Sequence, residues 1–585
     1  MKEQPALTGT TKKRHVSAKA IAAGDVREVL ELTTELLLRG ADARALEILS
    51  LAVQLHPDDA GMVTRHADAL YMSGQIAEAR EGYRRACTMD DTEFQAWYGR
   101  GCAEFGFEAY ADAMVCFRRA LALDSEDADT HHFAGRCLFY LGEIERSIEE
   151  LQIVAKSRNA ETRNQALQLI AVIVPGSPRH GNPEIGKARR KWSAHEEKTE
   201  SIQKHPAPAQ RSNTRKLRIG YVSSFFNSQN WMKPVWGMMN EHDRSAFEIH
   251  LFLEGSPPDS GNGYMRHADD SIHMIGELTN ASAAKEIDEA EIDVLVDLNG
   301  YSAAKRLGIF MRKPAPIIAS WFNMYATTGI RAFDYIIGDA SVVPKSEEKY
   351  YGERVLRVSG TYLAFSVLYP VPAVEPPPSL RTGQITFGCL APNYKLTDGV
   401  ISTWAEILRA APNARLLLKN SCMDHASNQA LLHERFARYG VGRERMEVEG
   451  AAEHYQFLET YKRVDIALDT FPYNGGTTTT EAVWQGVPVL TFTGDRWVSR
   501  TSMSILLAGG MGDWVMESRE AYIERAIALA IAPGTPEMLA PFRAQMRESL
   551  LASSACDVTG LCREMENRYL EMKKLGGTKG RMQRK

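Results

Sequence analysis

Between about residue 25 and residue 160, apolar side chains recur at helical spacing in paired segments, and the pairs repeat. Leu55, Met89 and Leu123 close successive pairs and stand 34 residues apart. Ala67, Gly101 and Gly135 share a small-residue position in that register, and Tyr71, Phe105 and Phe139 share a bulky one. Ala79, Ala113 and Ser147 are small again, while Tyr83, Phe117 and Leu151 are bulky. Ala86 and Ala120 end the second helix of their pairs, with Val154 a looser third. Small and large residues alternate because each helix must fit the groove of its neighbour. The less regular pair up to Leu55 caps the stack.

From Leu217 the period changes. LRIGYVSS, FEIHLFL, IDVLVDLN, APIIASWF and FDYIIGD are short apolar runs separated by helix-length stretches. Such alternation predicts a parallel sheet with crossover helices. A second block of the same kind starts at Gln384, with ITFGCL, ARLLLKN, MEVEG, VDIALD and VPVLTF as strands. The Pro-rich segment PVPAVEPPPSL joins the blocks, and apolar residues at helical spacing predict one closing helix near the C-terminal end.

The 34-residue unit is that of a tetratricopeptide repeat. The predicted fold is therefore an α superhelix of such repeats followed by two Rossmann-like α/β halves with a cleft between them. The expected segments are a disordered basic tail (1–24), the repeats (25–160), a helical connector and linker (161–215), an N-terminal half (216–370), a C-terminal half (383–540), the closing helix (541–575) and a second basic tail (576–585).

Composition narrows the classes. At 585 residues the chain is too long for one core. Charged residues make up 24% and the net charge is only -5, so nothing points to nucleic acid as a partner. The eight cysteines contain no CxxC pair and are expected to be reduced thiols in a cytoplasmic protein. No apolar run has the length of a membrane span, and the basic N-terminus lacks the apolar core of a secretory signal. An exposed apolar face of the repeats allows a homodimer, and no residue decides that.

The densest local chemistry is Asn474-Gly475-Gly476-Thr477-Thr478-Thr479-Thr480-Glu481, after the strand VDIALD and before a helix predicted from near Thr479. Two glycines let the backbone approach a ligand, and threonine hydroxyls with the first free N–H groups of a helix suit a diphosphate. Glu481, one turn in, suits ribose hydroxyls; a polar turn with a threonine cap is the plainer account. Lys395, with Asn393 in the loop APNYKLTD, follows a strand and can neutralise a leaving phosphate, or is a solvated loop lysine. Lys419 at the end of ARLLLKN has the same two readings. Arg500, beside Ser499, offers a charged contact, and His454 can stack on a base. On the other side of the cleft, strand ends place Asn299 to Tyr301 and Asn323 to Thr328, including Asn323 and Thr327, towards the ligand. No HExxH, zinc spacing, G-x-S-x-G elbow or Walker A motif is present, so no metal site is expected.

The stretches LRIGYVSS, VLVDLNGY, KPAPIIASWF, FDYIIGD, the Lys395 loop and LDTFPYNGGTTTTEAVWQGVPV agree in order and spacing with one family. The chain resembles the O-linked N-acetylglucosamine transferases, the O-GlcNAc transferase and SPINDLY group, in their bacterial form. The resemblance implies a GT-B fold and a nucleotide-sugar donor, UDP-linked by default, used as co-substrate without a cofactor. It implies that Thr477 and Thr478 hold the diphosphate, that Glu481 takes a ribose-binding aspartate's place, and that Lys395 stabilises the leaving nucleotide. Metal-independent inversion would follow, with a Ser or Thr of a protein acceptor, held by the repeats, as the nucleophile.

One departure stands out. Gln229 occupies the place of the family's active-site histidine, and glutamine is not a base. Asp297 or Tyr301 is left to assist a hydroxyl, and nothing in the sequence selects either. The turn at Asn323 to Thr327 also departs from the family's Gly-rich one, and Trp231 and Trp236 enlarge the apolar side of this half. A non-catalytic repeat scaffold, or a transferase dedicated to one surface protein such as flagellin with another donor sugar, are the competing expectations.

Overall fold

The computed structural model describes residues 26–197, 215–228, 230–258, 261 and 263–575. The two expected tails and Gln229 lie outside these described residues. The chain divides into two units, one up to Cys137 and one from Leu138.

The first unit is a stack of helix pairs: Val26–Leu38 with Asp42–Leu55, Ala60–Met72 with Ile76–Met89, and Phe94–Gly106 with Tyr110–Leu123. The 34-residue register is visible in its packing. Ala67, Ala79, Ala86, Ala113 and Ala120 are fully buried, and so is Phe117. Gly101 is required by contact: a Cβ there would lie 2.4 Å from the Phe117 ring. The Tyr83 hydroxyl donates to Asp68 Oδ1 at 2.7 Å, which satisfies a carboxylate that burial pushes up from its ordinary value.

The second unit begins with the helices Ile144–Val154, Ala160–Ile173 and Asn182–Glu196. The last carries Pro183 in its first turn, where the missing N–H costs nothing. Two sheets follow. The first runs β1 (Leu217–Ser223), β2 (Phe247–Leu253), β3 (Ser271–Met274), β4 (Val294–Asp297), β5 (Ile317–Ser320), β6 (Tyr335–Asp339) and β7 (Arg354–Val358). Its spatial order is β3-β2-β1-β4-β5-β6-β7. The second holds β8 (Thr386–Cys389), β9 (Arg415–Lys419), β10 (Met446–Glu449), β11 (Ile466–Leu468), β12 (Val489–Phe492) and β13 (Val515–Met516), in the order β10-β9-β8-β11-β12-β13.

The strand pairs are parallel, with Ile219 opposite Val294 and Ile466 opposite Phe387. The strand order reverses at β1/β4 and again at β8/β11. Those reversals are the places where doubly wound sheets bind ligands. Strands covered on both faces explain the continuous apolar runs: every residue of β4 and β5 is buried.

The single closing helix expected over 541–575 is two helices. Thr535–Leu551 contains Pro541, and its buried Arg543 donates to the carbonyls of Val464 and Glu375 in the C-terminal half. Val558–Leu575 returns to the N-terminal half, where Tyr569 meets the Tyr221 hydroxyl at 3.0 Å and Glu566 meets His242 at 3.0 Å. The break falls where short polar side chains bind backbone: Ser553 donates to the Leu550 carbonyl, and Asp557 accepts from Gly560 N–H. Apolar spacing runs through this interruption, so periodicity alone does not register it.

Candidate nucleotide-sugar cleft

The loop after β11 is braced by a buried carboxylate. Asp469 accepts from Gly475 N–H and from the Thr491 hydroxyl, both at 2.8 Å. Burial pushes this carboxyl up from its ordinary value. The helix that follows is Thr477–Trp484, two residues earlier than the sequence predicts, and its N-cap is Gly476 with no side-chain cap. The threonine-cap reading is thereby corrected. The Thr477 and Thr478 hydroxyls meet no partner among the described residues, while Thr479 is tied to Ser502 at 2.7 Å and Thr480 to the Thr477 carbonyl. Gly475 is tightly packed: a Cβ there would lie 2.5 Å from Thr479 Oγ1 and 2.7 Å from Thr478 Oγ1, so those hydroxyls would have to turn away. The turn therefore offers free N–H groups and two free hydroxyls at a helix start, the donor set an anion needs.

Lys395 comes from the loop after β8, on the neighbouring side of the reversal. It is buried, and its Nζ donates to the Asn474 carbonyl at 2.7 Å. The ammonium also stands 4.2 Å from the centre of the Tyr473 ring. Burial pushes its pKa down to about 8, against the pull of Asp469. Asn393 donates to the Tyr140 carbonyl at 2.7 Å, and its own amide oxygen is buried without a partner.

Glu481 is buried at 3% exposure and collects two partners. His454 Nε2 is 3.0 Å from its Oε1, and Lys233 Nζ is 3.6 Å from the same oxygen. Lys233 opens the helix Lys233–Asn240 of the N-terminal half and donates to the Asn230 carbonyl at 2.8 Å. Burial holds its pKa below the ordinary lysine range. Sequence reasoning missed Lys233 and Asp469. The signal for Lys233 was a lysine inside the apolar run WMKPVW, where a solvated lysine does not fit.

The geometry gives several expected site residues internal partners. Arg500 donates through Nη2 to Glu347 at 2.7 Å and through Nε to the Gly494 carbonyl at 2.8 Å, and its Nη1 is buried without a partner. Lys419 pairs with Glu449 at 2.9 Å. The Tyr301 hydroxyl donates to the Thr328 carbonyl at 2.7 Å, so it is not free to take a proton, although its ring borders the cleft. Thr327 donates to Glu353 at 2.8 Å. Each is a polar group that burial obliges to find an internal partner.

The turns of the N-terminal half meet one another. Asn299 accepts from Ser224 N–H at 2.7 Å, and Asn323 donates to the Asn299 carbonyl at 3.0 Å and to Ser302. Gly300 has φ 52°, and a Cβ would lie 2.2 Å from the Asn323 carbonyl oxygen. Phe322 and Tyr325 hold φ of 78° and 57°, a left-handed backbone that bulky residues rarely adopt outside functional turns. Asp297, which accepts from Asn299 and Gly300 N–H, is pushed up to about 7 by burial.

Two spaces lie along this cleft. A narrow one is bordered by Trp231, Lys233, Phe322, Tyr325, Gly476 and Thr477. The second is a cavity of about 280 Å³ bordered by Arg189, Tyr301, Asn323, Tyr325, Lys395 and Tyr473, with Phe139 and Ile144 from the helices. Tyr325 borders both.

Two doubly wound parallel sheets facing one cleft, with an anion-ready helix start on one wall, are the GT-B architecture. The model of glycosyl transferase family 41 matches residues 184–366 and 379–565, and the chain belongs to that family. It is 28% identical over 368 residues to the tomato (Solanum lycopersicum) protein described as a probable UDP-N-acetylglucosamine–peptide N-acetylglucosaminyltransferase SPINDLY, covering 61% of this chain and 39% of that one. It is 29% identical over 385 residues to the Arabidopsis thaliana protein described as SEC, covering 63% and 38%. The chain thus spans about two fifths of the length of these curated relatives. Among solved structures it is similar to a Thermobaculum terrenum O-GlcNAc transferase mutant, with TM-score 0.75 and 27% identity over 88% of this chain and 98% of that one. No helix among the described residues is long and apolar enough to cross a membrane.

Proposed function

We propose that the chain is a protein O-glycosyltransferase. It moves a sugar from a nucleotide-sugar donor to a Ser or Thr of a protein acceptor engaged by the repeats. The observation that carries this is the buried Lys395 ammonium, 2.7 Å from the Asn474 carbonyl at the foot of the Gly475–Thr477 turn. A cation there faces the place where a departing diphosphate gains charge. Gly476, Thr477 and Thr478 offer that diphosphate N–H and hydroxyl donors, and Glu481 with Lys233 and His454 stands one turn further, beside the ribose.

In this mechanism the acceptor oxygen attacks the anomeric carbon from the face opposite the leaving nucleotide, with inversion, as the bond from that carbon to the diphosphate oxygen breaks and the hydroxyl proton passes to water. Lys395 supplies the compensating charge, so the chemistry needs no metal. The names of the relatives make N-acetylglucosamine the default sugar and UDP the default carrier. A relic serving only as a scaffold would have no reason to keep a lysine buried against its desolvation cost.

The test is a thermal-shift screen of the full chain with UDP, CMP and GDP sugars. A shift of several degrees with one nucleotide, abolished by Lys395→Ala and Thr478→Ala, supports a donor site. No shift with any of them, and no acceptor gaining mass, would overturn it.

A further inference from the structure

The 280 Å³ cavity beside Lys395 has an unusual lining. It presents two cations, Arg189 and Lys395, and no carboxylate. Lys395 is accounted for by the diphosphate. Arg189 is not.

Arg189 is buried at 2% exposure. Its Nε donates to the Ala171 carbonyl at 3.4 Å, and its Nη1 to the carbonyls of Met324 and Thr327 at 3.2 and 2.8 Å. The guanidinium lies 3.9 Å from the centre of the Tyr301 ring. Its other terminal nitrogen, Nη2, meets no acceptor among the described residues. No carboxylate among them lies within ion-pair distance either. Glu353 acts on Arg189 through space but spends its oxygens on Thr327 and Thr328. A buried guanidinium held in place by carbonyls, stacked on an aromatic ring and left without a counter-ion is arranged for an anion from outside.

The order of the cleft says which part of the donor reaches it. Glu481 marks the ribose end and Gly476 with Thr477 the diphosphate, bordering the narrow space. Past Tyr325, which borders both spaces, lies the cavity with Lys395 and Arg189, and on the donor-site reading the sugar extends into it. We propose that Arg189 reads a carboxylate on the transferred sugar, so that the donor is a uronic acid carried on a nucleoside diphosphate rather than neutral N-acetylglucosamine. This rests on the donor-site reading above.

The test is isothermal titration of the full chain with UDP, UDP-glucose and UDP-glucuronate. The two sugars differ only in a carboxylate against a hydroxymethyl group. Expected is about tenfold or tighter binding of UDP-glucuronate over UDP-glucose. In Arg189→Met that preference is expected to vanish while bare-nucleotide affinity stays as in the parent. Equal binding of acidic and neutral sugars by the parent chain overturns the proposal, whether or not the variant folds, and leaves Arg189 to an acidic residue of the acceptor. A preference that survives in Arg189→Met overturns it too. UDP binding without any acid preference sinks this inference alone; no binding of UDP or of either UDP sugar sinks the UDP donor site and this inference with it.

Discussion

Lys233 of the N-terminal half stands 3.6 Å from Glu481 of the C-terminal half, and both side chains are almost fully buried. The pair crosses the cleft beside the turn that ends at Thr477. Neither charge is in water, so each depends on the other and on His454 for compensation. Lys233→Met should leave Glu481 under-compensated and lower unfolding free energy by about 3 kcal/mol in urea titrations. Adding Glu481→Gln to that variant should recover part of the loss. A double variant as unstable as the sum of the two single ones would show that the pair is not coupled.

Gly475→Ala tests the shape of the anion-binding turn. The added methyl would meet two threonine hydroxyls at 2.5 and 2.7 Å, and one of these, on Thr478, belongs to the proposed diphosphate site. Expected is a loss of about 1–3 kcal/mol of stability from overpacking. Nucleotide affinity should fall by about tenfold or more, because the hydroxyls must turn away. Unchanged affinity by titration would remove the turn from the site.

Asp297 should leave a signature in stability against pH. Burial favours its neutral form, and its pKa is pushed up to about 7 from 3.8. Between those values the folded chain binds more protons at this group than the unfolded chain does. Its contribution to stability therefore falls as pH rises from about 4 to about 7. Asp297→Asn should remove that downward slope from urea midpoints measured across the window. An identical slope in the variant would assign it to other groups.

How far the sequence reaches can be followed residue by residue. Runs such as LRIGYVSS were legible because β1 is covered on both faces, and burial demands apolar residues at nearly every position. β3, Ser271–Met274, was not, since none of its four residues is fully buried and its pattern carries little signal. The Gly475–Thr477 turn and Lys395 were legible because glycines, threonines and a strand-end lysine are local features. What each long polar side chain binds was not. Arg500 reads like a phosphate ligand, and only the fold shows Glu347, far away in sequence, pairing with its Nη2. Arg189 reads as one more charge in the stretch KARRKW, and only the fold carries it under Tyr301. Tertiary partners decide the fate of polar residues, and periodicity does not encode them.

Lys395 makes the most direct prediction. Burial lowers its pKa from 10.5 to about 8, so the folded state without donor penalises the charged form. Between about pH 8 and about pH 10.5 the unfolded chain holds the proton more firmly, and the penalty is relieved as pH rises through that window. Donor binding should run the opposite way. A diphosphate beside Nζ favours the ammonium, so nucleotide affinity should be highest below about pH 8 and fall as pH rises above it, while the protein itself gains stability from this group. Lys395→Met should bind nucleotide weakly at every pH and lose both trends. Calorimetric titration and urea unfolding of parent and variant from about pH 7 to about pH 10 would check this. Nucleotide affinity in the parent that does not change across the window would mean that the charge of Lys395 is not what holds the diphosphate.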